Sequence, residues 1–368
     1  MKAAVVIPKR KGTLHFAEVP MPRISGKGVL VRVIRVGLDG TDKEIGNGRY
    51  GKAPKGSKYL IVGHESLGVV EKVSTGAAKR GLKEGDYVVA TVRRPDGCIN
   101  CRAGESDMCL TGNYTERGIN GAHGYMTEYY KETPENLVKI PKKIASAAVM
   151  LEPLSIAEKV VMQIFEIQRR MVWKPKTAVV LGTGTVGLFA AMLLRLKGLE
   201  VMSVDRTEHN PQKERIFRAM GIRHVNAKKT PVNELPKLSK KPIDIVVELT
   251  GNAEVVYDAM TIAGVNGIMA LVSVTGGSLI MDIDVAKLNY GLVLGNRLVV
   301  GVVNSNRKHF LQGVRDMERI EGMHPGLMGS MITKRVRFGD FDDYGILDDR
   351  SQIKVVVEME SAQKAKDD

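Results

Sequence analysis

Ala178-Val179-Val180-Leu181 runs into Gly182-Thr183-Gly184-Thr185-Val186-Gly187, and together they read as a buried strand turning through glycines into a helix. An apolar helix is expected over residues 188–196. A second strand, Val201-Met202-Ser203-Val204, then ends at Asp205. A bare G-x-G-x-x-G is weak, but strand, turn, helix and a carboxylate after the next strand form the setting that a dinucleotide needs. Gly182 permits the tight turn. Gly184 lets the backbone approach a pyrophosphate, and Gly187 lets the helix pack on the sheet. Thr185 and Val186 open the helix, whose free N–H groups face the phosphates. Asp205 is placed to accept from the adenosine ribose hydroxyls, which favours NAD. Arg206 follows at once, with His209 and Lys213 near, and an arginine suits the extra phosphate of NADP. Both cofactors are therefore expected, with NAD favoured.

Outward from this turn the pattern repeats. Asp244-Ile245-Val246-Val247-Glu248 and Gly267-Ile268-Met269-Ala270-Leu271-Val272 read as further strands, so this half is α/β with a doubly wound parallel sheet. Residues 1 to about 165 differ. Val29-Leu30-Val31-Arg32-Val33-Ile34, Leu67-Gly68-Val69-Val70-Glu71-Lys72-Val73 and Tyr87-Val88-Val89-Ala90-Thr91-Val92 are short β-type runs broken by Gly and Pro. Between the two regions, Ile156, Val160, Val161, Ile164 and Ile167 fall close to helical spacing, which predicts a helix over residues 155–170.

Composition narrows the class. A chain of 368 residues is long enough for two domains. With 43% hydrophobic and 26% charged residues it reads as an ordinary globular protein. No apolar run reaches the roughly 18 residues of a membrane span, and no signal peptide is read at the start. A cytoplasmic location is the expectation. The net charge of +14 raises a nucleic-acid reading. The basic residues are scattered, however, and aromatics make up only 5%, so stacking platforms are scarce. No nucleic-acid partner is expected.

Two metal centres are indicated. Gly63-His64-Glu65 closes a glycine-flanked segment, with Asp39-Gly40-Thr41-Asp42 upstream and Leu151-Glu152-Pro153-Leu154 downstream. Zinc takes imidazole nitrogen and carboxylate oxygen, and a catalytic site keeps one position open. Asp39, His64 and Glu152 supply three ligands, with Glu65 as an alternate ligand or outer carboxylate. The second centre is Cys98-Ile99-Asn100-Cys101 with Cys109. Two thiolates at x2 spacing bind one zinc from a tight turn, and the third comes within reach. The fourth ligand is open among Asp96, Glu105 and Asp107, with Asp96 preferred.

In these residues the chain resembles the zinc-dependent medium-chain dehydrogenases, and more narrowly the archaeal-type glucose dehydrogenases. The general likeness rests on residues 37–42, on Gly63-His64-Glu65, on the cysteine lobe and on the glycine turn. The narrower one rests on Val92-Arg93-Arg94-Pro95, on Glu116-Arg117-Gly118-Ile119 with Gly121-Ala122-His123-Gly124-Tyr125-Met126, on Glu152-Pro153-Leu154 with Glu158-Lys159, and on Gly301-Val302-Val303-Asn304. The resemblance implies a GroES-like, mostly β catalytic domain from residues 1–165 and 304–368. It implies a Rossmann domain over residues 166–303 and a site in the cleft between them. The catalytic metal then falls on Asp39, His64, Glu65 and Glu152. Sugar contacts fall on Thr41, Glu116, Glu152 and Asn304. Cofactor contacts fall on the Gly184–Gly187 turn, on Asp205, Arg206 and Thr207, on Val272, Ser273 and Val274, and on Val302, Val303 and Asn304. A homo-oligomer, tetramer or dimer, is expected. Two positions depart from the wider family: Asp39 stands where a cysteine is usual, and Pro95 stands at the spacing of the lobe's first cysteine.

The implied reaction is oxidation of an aldose, D-glucose above others, at C1 to the aldonolactone. Zinc acidifies the C1 hydroxyl, Thr41 passes the proton outward, and NAD or NADP takes the hydride. A sorbitol- or threonine-type dehydrogenase is the alternative enzyme on this scaffold. The alternative from another class is a cofactor-binding protein without catalysis.

Overall fold

A computed structural model describes residues 1–206, 210–276 and 278–359. The chain forms two compact units, Met1–Ser155 with Ser305–Asp368, and Ile156–Asn304.

In the first unit a seven-stranded sheet runs in the order Leu137–Ile140, Tyr87–Ala90, Glu65–Val73, Val29–Leu38, Lys354–Glu358, Ile332–Arg337, with Tyr129–Glu132 also paired to Val29–Leu38. Its long central strand explains why both ends of the chain share one unit: Val29–Leu38 pairs antiparallel with Glu65–Val73 and with Lys354–Glu358. Alternation places Val29, Val31 and Val33 in the core, and the buried phase then switches to Val36 and Leu38. The switch follows from a register shift between Val33 and Arg35, where one extra residue re-aims the side chains that follow. These valines pack with Leu60, Val62, Tyr125, Met126, Val355 and Val357. The first expected strand thus runs four residues beyond its anticipated end, because the bulge hides its continuation from a period-two reading.

The second unit holds six parallel strands in the order Arg223–Asn226, Glu200–Asp205, Thr177–Leu181, Ile245–Glu248, Ile268–Leu271, Leu298–Gly301. That is the doubly wound order of a Rossmann sheet. Thr177–Leu181 is buried throughout, as a central strand covered on both faces must be. The helix after the glycine turn is Thr185–Leu196, a turn earlier than its apolar stretch alone indicated. The helix expected over residues 155–170 is Leu151–Ile167, closed by a 3-10 turn at Gln168–Arg170. Among the described residues, no helix is long and apolar enough to cross a membrane.

Candidate metal and cofactor centres

Helix Gly40–Gly46 begins with Asp39 as its cap. Asp39 Oδ1 accepts from the backbone N–H of Thr41 at 2.8 Å and of Asp42 at 3.2 Å, while Asp42 Oδ2 accepts from Asp39 N–H at 3.1 Å. This reciprocal capping box fixes both carboxylates. Thr41 Oγ1 donates to Asp39 Oδ2 at 3.2 Å. His64 lies between the two acids, with Nε2 3.5 Å from Asp39 Oδ2 and Nδ1 3.6 Å from Asp42 Oδ1. Asp42 is wholly buried, whereas the Asp39 side chain is 36% exposed. One carboxylate therefore backs the imidazole and the other faces an open side.

Burial opposes a charge on His64, but Asp39 and Asp42 outweigh it and hold the imidazole well above its ordinary value. On the other flank, Glu65 and the first-turn Glu152 of helix Leu151–Ile167 are both buried. Burial, reinforced by the charges of Glu65 and Asp39, pushes the Glu152 carboxyl up to about 8 even though His64 acts the other way. Such an accumulation of buried acid around one histidine is costly unless a cation joins it. Asp39, Asp42 and His64 present ligand atoms within 4.8 Å of one another, and so do His64, Glu65 and Glu152. Oxygen and imidazole nitrogen are donors that zinc accepts. Asp42 Oδ1 and His64 Nδ1 face each other at 3.6 Å without a hydrogen bond, the mark of a cluster built around charge pairing. The residues fit the metal.

Asp42 stands in the stretch read from the sequence but was assigned no role there. Its signal was local: an acid three residues after a capping acid. Lys354 was also missed, and no local signal marks it. Its buried ammonium pairs with Glu65 and donates to Leu38 O at 3.0 Å. Gly37 makes this pair fit, since a Cβ there would fall on the Glu65 carboxylate.

Glu116 is placed differently from a free sugar ligand. It is buried, and its Oε1 accepts from Arg93 Nε at 3.1 Å and Nη2 at 3.0 Å. The Arg93 guanidinium also lies 3.6 Å from the centroid of the Tyr114 ring. Any sugar contact through Glu116 uses a carboxylate already oriented by Arg93.

In the cysteine lobe, Asp96, Cys98, Cys101 and Cys109 offer ligand atoms within 4.8 Å of one another. The Cys98 and Cys109 sulfurs are 4.0 Å apart, and Cys109 Sγ is 3.4 Å from Asp96 Oδ2. The N–H groups of Leu110 and Cys101 hold the Cys98 thiol below its ordinary value, which favours a thiolate ligand. Glu105 and Asp107 turn elsewhere: Glu105 takes Lys308 Nζ at 2.6 Å, and Asp107 Oδ1 takes Asn306 Nδ2 at 2.6 Å. The residues fit a four-ligand zinc with one carboxylate.

The second unit carries the dinucleotide turn. Gly182 has φ +105°, and a Cβ on Gly187 would lie 2.0 Å from Gly182 O, so both positions exclude larger residues. Gly184 caps helix Thr185–Leu196 and meets nothing within 4 Å on its Cβ side. The turn is thus open where a pyrophosphate would approach. Asp205 ends its strand and Arg206 is exposed beside it. Thr207 lies outside the described residues. Val272, Ser273 and Val274 follow strand Ile268–Leu271, and Val302, Val303 and Asn304 follow strand Leu298–Gly301, so both triplets stand at the carboxyl edge where such folds bind cofactor. Lys159 Nζ donates to Val303 O at 2.6 Å and fixes the second triplet.

Comparison with known proteins agrees over nearly the whole chain. Residues 145–359 match the family described as glucose dehydrogenase C-terminus, and residues 25–142 match the alcohol dehydrogenase GroES-like domain. The chain is 44% identical to glucose 1-dehydrogenase of Methanocella arvoryzae, covering 98% of this chain and 99% of the relative. It is 36% identical to glucose 1-dehydrogenase of Thermoproteus tenax, covering 98% and 100%. Among solved structures, Haloferax mediterranei glucose dehydrogenase in complex with NADP, Zn and gluconolactone superposes with a TM-score of 0.86 at 30% identity, covering 97% of this chain and 99% of that one.

Proposed function

The chain belongs to the glucose dehydrogenase family of zinc-type medium-chain dehydrogenases, and on that premise we propose how its residues carry the family reaction. The enzyme oxidises D-glucose at C1 to the lactone and transfers a hydride to NAD or NADP. The observation that supports the residue assignment is the convergence of buried acids on both flanks of His64.

Asp39, His64 and Glu152 would hold the zinc, with Glu65 alongside. Bound zinc supplies Lewis acidity that lowers the pKa of a substrate hydroxyl. Asp42, facing Nδ1, fixes the tautomer that leaves Nε2 toward the metal side. Thr41, whose hydroxyl donates to Asp39, would turn that hydrogen toward cofactor ribose or solvent as its oxygen takes the substrate proton. Asn304 reads one sugar hydroxyl and Glu116, held by Arg93, another, and a buried carboxylate such as Glu116 rejects sugars that leave it unpaired. The Gly184–Gly187 turn, Asp205, residues 272–274 and residues 302–304 would hold and orient the dinucleotide, which would supply the hydride chemistry.

The assembly is a homo-oligomer. Helix Val285–Leu294 has no buried residue in the single chain. Ile280, Val285, Tyr290, Val293 and Leu294 are exposed, and strand Leu298–Gly301 is at the edge of its sheet; exposed apolar side chains of this kind suit an interface between copies. A cytoplasmic location fits Cys98, Cys101 and Cys109, none of which is in a disulfide.

A spectrophotometric screen of aldoses with NAD and NADP tests the substrate. D-glucose should give the highest kcat/KM, and polyols or threonine exceeding it would favour the sorbitol or threonine reading. His64→Ala tests the centre: it should lose both activity and the catalytic zinc, and full turnover by a rigorously metal-free preparation would sink the assignment.

A further inference from the structure

Asp205 is not a bare charge. Its Oδ2 accepts from Thr183 Oγ1 and from Lys213 Nζ at 3.0 Å, and Lys213 Nζ also donates to Thr183 Oγ1 at 2.7 Å. Its Oδ1 meets His224 Nε2 at 2.9 Å. The three partners come from the glycine turn, from helix Pro211–Met220 and from the neighbouring strand Arg223–Asn226. Lys213 is seated by Asn210, which caps the helix and accepts the Lys213 backbone N–H at 3.1 Å. His224 is stacked on Phe217, with ring centroids 5.1 Å apart and planes 11° apart. The Asp205 and Lys213 side chains are only 10% and 9% exposed, so water screens this pair weakly.

A carboxylate at the end of this strand ordinarily disfavours a 2′-phosphate by repulsion. Here an ammonium sits in direct contact with it. A phosphate farther away sees the two opposite charges nearly cancel, while Arg206 adds a positive charge beside them. Burial resists ionisation of Asp205, yet His224, Thr183 and Lys213 together hold it below its ordinary value, so the carboxylate stays ionised against Lys213. We infer that Lys213 neutralises Asp205 in place, with His224 holding the carboxylate in that pairing, so that the adenosine end takes a 2′-phosphate as well as a free 2′-hydroxyl. Lys213 is then the residue that sets the NADP-to-NAD ratio. This rests on the dinucleotide reading of the second unit.

Calorimetric titration of the full-length protein with NADH and NADPH tests it without relying on turnover. The unaltered protein should bind both, with dissociation constants within about tenfold. Lys213→Met should weaken NADPH relative to NADH by about tenfold or more, and Lys213→Arg should restore the ratio. His224→Phe keeps the stack on Phe217 and removes the bond to Asp205. It should move the ratio in the same direction by a smaller factor, and it carries the test if Lys213→Met does not fold. An unchanged ratio in the folded variants, or a strict preference for NADH in the unaltered protein, overturns the inference. Binding of neither dinucleotide would instead overturn the cofactor reading itself.

Discussion

Lys354 and Glu65 stand 289 positions apart in the chain and form an ion pair in which each side chain is 1% exposed. The pair ties the last strand of the first unit to the residue that follows His64. Removing one partner of such a pair leaves a buried charge alone, which costs about 3–5 kcal/mol. Lys354→Met should therefore lower unfolding stability by that order in urea titrations, and adding Glu65→Gln should recover part of the loss. A Lys354→Met protein as stable as the parent would show that Glu65 is held by other groups.

Asp39→Cys should keep a working metal centre. Both side chains are anionic ligands, and thiolate is the softer and stronger donor to zinc. The substitution also removes the cap, since Thr41 and Asp42 N–H groups bond to the Asp39 carboxylate. Loss of a helix cap costs about 1 kcal/mol. The expected outcome is zinc retained with altered affinity and a modest drop in stability, read by chelator competition and thermal unfolding. A folded variant without metal would show that the geometry around residue 39 has been rebuilt and would count against its alignment with the family's cysteine position.

Legibility of these features from sequence follows distance along the chain. The phosphate turn is six consecutive residues, and each glycine has a local steric reason, so pattern alone located it. His64 and Glu65 are adjacent, and donor chemistry grouped them with Asp39 and Glu152, a set that the family resemblance then repeated. Asp42 was readable through capping chemistry but went unused. Lys354 and the Arg93–Glu116 pair were not readable, because strand pairing brings them to their partners and a lone lysine or arginine carries no local mark. The same holds for the end of strand Val29–Leu38, where a bulge breaks the alternation on which the reading depended.

Cys98→Ser should release the zinc of the cysteine lobe while the zinc at His64 remains. The lobe's four donors lie within 4.8 Å of one another, and none belongs to the His64 cluster. Replacing a thiolate by a hydroxyl removes the softest kind of ligand from the set. Metal analysis should show the loss, and limited proteolysis should show faster cleavage near residues 95–113. Unchanged metal content would assign those thiols a purely structural role.

Glu132 supplies the last test, through acid. Its Oε2 lies 2.5 Å from Arg94 Nη2 and 3.7 Å from Arg117 Nε, and all three side chains are largely buried. Burial alone would raise the Glu132 carboxyl, but the two guanidinium groups outweigh it and hold it below its ordinary value of 4.5. A carboxyl depressed in the folded state contributes stability that is fully present above 4.5 and lost as pH falls through the folded value. Glu132→Gln leaves two buried cations facing a neutral amide, so it should cost about 3 kcal/mol at neutral pH. The gap between parent and variant should narrow as the solution is acidified below 4.5, because the parent then loses the same charge. Urea midpoints for both proteins across that range decide it, and a gap that widens in acid would show that the arginines do not depend on Glu132.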